Sequence, residues 1–70
     1  MEPTQTKLLD IAVELFAEQG FSGVSMRNIA RAAGITPAAI YHHFANKDAL
    51  YVAALEHVYA SQAMELVTEA

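Results

Sequence analysis

Between residues 24 and 47, VSMRNIARAAGITPAAIYHHFANK, the chain carries Arg27, Arg31 and Lys47 and neither Asp nor Glu. A guanidinium is a planar fork of N–H donors and an ammonium is a compact cation, so the stretch suits a polyanion and, for arginine, the paired acceptors on the edge of a guanine. Tyr41 adds a phenolic donor on a stiff arm, Thr36 a hydroxyl, and His42 and His43 add ring nitrogens. Adjacent histidines on a helix point about 100° apart, whereas chelation needs ligands one turn apart. Neither histidine has a His, Asp or Glu four residues away, so neither a metal site nor a cofactor is expected. Ser22, Ser25 and Ser61 with the three histidines supply the letters of a catalytic triad, but no spacing sets a base and an orienting acid beside a nucleophile, which argues against an enzyme.

Such side chains act together only if something holds them on one face, and the same stretch spells two short helices joined at Gly34. Ser25 is a candidate N-cap for the first of them, with Val24 and Ile29 spaced as a hydrophobic staple. The device recurs eleven residues on. There Thr36 is the N-cap, Pro37 takes the first helical position, where its missing N–H costs nothing, and Ile35 and Ile40 form the staple. Gly34 can adopt the positive φ that ends a helix abruptly, and Ala30, four residues earlier, is small enough for two helices to cross closely. Ile40 would anchor the second helix in the core, leaving Ala38, Ala39, Tyr41 and His42 on or near the other face. The pattern is that of a helix-turn-helix, and its expected target is double-stranded DNA.

Ahead of this unit, Pro3 and Thr4 open a first helix in which Leu8, Ile11, Ala12, Leu15 and Phe16 make one apolar stripe, with Lys7, Asp10, Glu14 and Glu18 outward. It should end at Gly20, with Phe21 folding back on Phe16. After the unit, Asn46 is a good N-cap and Asp48 is favourable in the first turn of a long helix from Lys47 to about Thr68, about 30 Å in length. Leu50, Tyr51, Val52, Leu55, Val58, Tyr59, Met64, Leu66 and Val67 spread around much of its circumference, as in a helix buried on more than one side. Tyr51 and Tyr59, eight apart and so on one face, read as core or inter-domain packing rather than a stacking platform. The expected fold is therefore all-α: a three-helix DNA-binding bundle with a helix-turn-helix, residues 1–46, and a long fourth connecting helix, residues 47–70.

Seventy residues with an apolar fraction of 54% and a positive mean hydropathy hold more apolar surface than so small a core can bury, so an incomplete unit is expected. There is no cysteine, hence no disulfide framework. No stretch of about twenty apolar residues and no basic leader occurs, which argues against a membrane and for the cytoplasm. Net charge is −4, unfavourable for a nucleic-acid binder taken as a total, but the acids lie at residues 2–18 and 48–69. The window between carries +3 before either histidine counts. A different class of function, a helical protein-interaction module using the long fourth helix, gives no reason for that window to exclude acids.

The segment LLDIAVELFAEQGFSGVSMRNIARAAGITPAAIYHHFANKDALYVAAL resembles the N-terminal DNA-binding module of the TetR family of bacterial repressors, from its first helix into its fourth. The most specific pieces are the AxELFAEQGF-like end of the first helix, the IAxxAGI turn and the IYHHFxNKDAL run. The resemblance implies a sequence-specific transcriptional regulator, an effector-responsive repressor bound to a palindromic operator as a homodimer. It also implies a larger C-terminal domain, absent from this chain, that dimerises and binds a small-molecule effector, and a bacterial cytoplasmic setting. By the same resemblance Tyr41 and Lys47 contact phosphates, Arg27 reads a base edge, and Ser25, Thr36, Pro37, Ala38, Ala39, His42 and His43 complete the DNA-facing set. Ala38 and Ala39 offer little beyond approach to a thymine methyl.

Overall fold

The computed structural model describes the backbone of residues 3–69 and the side chains of residues 4–60. Four helices follow one another: α1 Pro3–Gln19, α2 Met26–Ala33, α3 Pro37–His43 and α4 Lys47–Glu69. No strand occurs among the described residues, so the all-α expectation holds. α1 packs against both α2 and α4, and α2 packs against α3.

The core is built from all four helices. Leu8, Ile29, Ile40 and Leu50, one from each, are fully buried, and Leu9, Ala12, Phe16, Val24, Met26, Ala30, Ala33, Phe44 and Ala54 surround them. No polar side chain is buried among the described residues. Because α1 lies between two partners, its buried face is broader than a single stripe, and Leu9 joins Leu8, Ala12 and Phe16 inside while Ile11 and Leu15 sit at the rim. Leu9 was not part of the expected stripe. Lys7, Asp10, Glu14 and Glu18 are exposed, as their spacing predicts.

α1 ends where Gly20 donates to the Phe16 carbonyl at 2.9 Å. Phe21 then folds back on Phe16 as expected, with ring centroids 5.9 Å apart, and Tyr51 of α4 meets both rings edge-on at 5.1 Å. Offset and edge-on rings are the favoured aromatic geometries, and this cluster joins α1, the following loop and α4. A second tie between the outer helices is polar: His57 Nε2 lies 2.7 Å from Asp10 Oδ1.

Asn46 caps α4, its Oδ1 accepting from the Ala49 N–H at 2.8 Å, with Asp48 in the first turn. The first half of α4 belongs to the core through Leu50 and Ala54. Further along the apolar character turns outward, with Val52 54%, Leu55 41% and Tyr59 68% exposed. Tyr51 is thus a core-packing residue, whereas Tyr59 lies on the surface of this chain. The side chains of Met64, Leu66 and Val67 lie outside the described residues. Among the described residues no helix is long and apolar enough to cross a membrane.

Candidate nucleic-acid interface

Local chemistry fixes α2 and α3 at both ends. At the start of α2 the Ser25 hydroxyl oxygen accepts from the Asn28 N–H at 3.1 Å, and Asn28 Oδ1 accepts from the Ser25 N–H at 3.2 Å. This is a reciprocal capping box, with Asn standing where Glu or Gln is usual. The Ser25 O–H also donates to Asn28 Oδ1 at 2.7 Å, so that proton is spent within the cap. Val24 and Ile29, the staple pair, are buried at 2% and 0% exposure.

The turn is equally well determined. Gly34 sits at φ 75°, ψ 27°, and its N–H reaches the Ala30 and Arg31 carbonyls, while the Ile35 N–H returns to the Ala30 carbonyl at 3.0 Å. These bonds satisfy the last carbonyls of α2 and send the chain sharply away, which is why Gly is needed there. Thr36 then caps α3, Oγ1 accepting from the Ala39 N–H at 3.1 Å, with Pro37 in the first helical turn. Ala30 and Ala33 are buried between the crossing helices, and Ile40 is the anchor of α3.

With Ile40 inward, the rest of α3 faces out. Thr36, Pro37, Ala38, Tyr41 and His42 are exposed, and Ala39 and His43 are half-buried. The Thr36 hydroxyl oxygen accepts from the Ala39 N–H, and a hydroxyl that accepts still carries a proton of its own. The His42 and His43 rings stand 6.4 Å apart and nearly perpendicular, so they diverge as helix neighbours must.

Arg27 and Arg31, one turn apart on α2, both project to solvent and line a cleft of about 330 Å³ with Ile35 and Pro37. The cleft brings the basic face of α2 to the first turn of α3. Sequence reasoning singled out Arg27 and counted Arg31 only toward charge. The signal that Arg31 belongs with it was its four-residue spacing from Arg27.

Lys47 is placed differently from the other cations. It is half-buried, and its Nζ donates to the carbonyls of Phe21 at 2.8 Å and Val24 at 2.9 Å. The ammonium has one N–H beyond these two.

Residues 8–54 match the family model of bacterial regulatory proteins of the tetR family, a span from α1 into α4. The chain is 45% identical over 49 residues to the HTH-type transcriptional regulator UidR of Escherichia coli K12, covering 70% of this chain and 25% of the relative. It is 50% identical over 46 residues to the HTH-type transcriptional repressor KstR2 of Rhodococcus jostii RHA1, covering 66% and 22%. It is 46% identical over 50 residues to the HTH-type transcriptional regulator AcrR of Shigella flexneri, covering 71% and 23%. The chain therefore spans about a quarter of the length of these curated relatives. No solved structure gives a significant match.

Proposed function

The chain belongs to the tetR family of bacterial regulatory proteins, and from that membership we propose that it is the DNA-reading head of a transcriptional regulator. The observation that carries the proposal is that α2 and α3 hold no Asp or Glu, expose Arg27, Arg31, Thr36, Tyr41 and His42, and bring Arg27 and Arg31 to Pro37 at the start of α3. α3 enters the major groove, Arg27 addresses a base edge, and Thr36, Tyr41 and Arg31 hold phosphates. Small Ala38 lets the helix approach the bases closely. The family is one of regulators rather than enzymes, and no catalytic role is proposed.

The matched segment covers only about a quarter of each relative, and the proposed regulator works as a homodimer in the bacterial cytoplasm, with dimerisation and effector binding in the remainder. Two heads then read half-sites roughly 34–36 Å apart, or a multiple of that. The exposed Val52, Leu55 and Tyr59 of α4 favour one further reading, a helical interaction module. Selection from a randomised duplex library with the protein expressed from its full reading frame separates the two. The regulator enriches a sequence with two-fold symmetry, and the interaction module enriches none.

The two arginines should fail differently. Arg27→Ala is expected to lower affinity by about 1–3 kcal/mol and to relax preference at one base pair. Arg31→Ala is expected to weaken all sequences alike and to flatten the salt dependence by about 0.9 per half-site phosphate lost. Competition binding of each variant on the selected duplex and on single-base variants of it distinguishes these outcomes.

A further inference from the structure

Lys47 directs its charge into the molecule. From the first residue of α4 its ammonium reaches back to the loop joining α1 and α2, where it bridges the Phe21 and Val24 carbonyls at 2.8 and 2.9 Å. The same nitrogen lies 4.2 Å from the centroid of the Phe21 ring, close enough for a cation–π contribution. Hydrogen bonds from a charged donor are stronger than neutral ones, and a half-buried site screens them less than open water does.

The target of this bridge is informative. Val24 immediately precedes Ser25, the N-cap of α2, and Arg27 is the second residue of that helix. An ammonium that fixes the Val24 carbonyl therefore fixes where α2 begins. The Phe21 carbonyl is held in the same grip, and Phe21 is itself packed between Phe16 and Tyr51. The loop is thus fastened on one side by rings and on the other by charge.

We propose that Lys47 is a positioning residue for DNA reading: its ammonium clasps the loop before α2 to the first turn of α4 and so sets the aim of Arg27. This rests on the DNA-reading function proposed above. A lysine that only contacted phosphate would act through its charge on every sequence alike. A clasp acts through the placement of a neighbouring side chain, and its loss is read at the base pair that the neighbour reads.

Two variants of the protein expressed from its full reading frame decide the matter. Lys47→Met keeps an apolar stem beside Phe21 and removes the donors, while Lys47→Arg keeps the charge but replaces a compact ammonium by a longer planar fork. In the free protein, Lys47→Met should speed hydrogen exchange of the amides of residues 24–29 by about tenfold and leave those of α1 unchanged. On the randomised duplex library it should reduce preference by about tenfold at the same base pair that Arg27→Ala affects, with the salt slope kept. Lys47→Arg should not restore that preference.

A salt slope shallower by about 0.9 per head with preference intact would overturn the proposal in favour of a phosphate contact. Full recovery by Lys47→Arg, or unchanged exchange in residues 24–29, would overturn it too. If Lys47→Met accelerates every amide together, the arginine variant decides by the same criteria. Absence of salt-dependent duplex binding by the unsubstituted protein would instead sink the DNA-reading function, and the exchange measurement would still report on the clasp.

Discussion

Ile40→Ala is expected to destabilise this module by about 2–5 kcal/mol, the range for removing a large aliphatic side chain from a packed core. Ile40 has no exposed surface and is the buried residue of α3. It follows the Thr36 cap by four residues, so the same side chain closes the staple with Ile35 and joins Leu8, Ile29 and Leu50 in the core. A seven-residue helix has little stability of its own and holds its shape through that packing. The loss should remove α3 from its place before it unfolds α1. Thermal unfolding should show the module's transition lowered by at least about 8 °C, at about 4–8 °C per kcal/mol for a domain of this size. An unchanged transition would mean that α3 is not seated through Ile40.

Gly23→Ala is the second large effect, expected at about 2–4 kcal/mol from forced overpacking and a disturbed helix cap together. A Cβ at Gly23 would lie 2.4 Å from the backbone oxygen of Gln19 and 3.2 Å from its carbonyl carbon. Backbone cannot swing aside as a side chain can, so the loop must move, and with it Val24 and the Ser25 cap. Gly34 provides the contrast. A Cβ there meets nothing within 4 Å, and its constraint is the positive φ alone. Gly34→Asn should therefore be tolerated better than Gly34→Ala, since Asn adopts the left-handed conformation more readily. Gly23→Asn should be no better than Gly23→Ala. Unfolding curves of the four variants test both statements, and a harmless Gly23→Ala would show that the loop has room which the geometry denies it.

The helix-turn-helix was legible in the sequence because the forces that fix it are local. Ser25, Thr36, Pro37 and Gly34 each act on backbone within a few residues, and Val24 with Ile29 and Ile35 with Ile40 are spaced by five. Asn28 was missed for a reason of size: the reciprocal cap is usually made by Glu or Gln, and Asn is one methylene shorter. Leu9 was missed because a one-face pattern assumes one partner, whereas α1 has two. The carbonyls that Lys47 engages lie 23 and 26 residues away in the chain, so only the fold brings them to it. Exposure of Tyr41 and His42 followed from the inward direction of Ile40, and the grouping of Arg27 and Arg31 with Pro37 required the crossing of α2 and α3.

The central claim is that the acid-free face of α2 and α3 grips DNA through its cations. Its most direct test is the salt dependence of duplex binding by the protein expressed from its full reading frame, measured beside a variant with Arg27 and Arg31 both replaced by alanine. A plot of log affinity against log salt should fall with a slope of about −2 or steeper for the unsubstituted protein, at about 0.9 per phosphate neutralised, and should flatten clearly in the double variant. A slope that the double replacement leaves unchanged would contradict the account, because the grip would then lie elsewhere on the molecule.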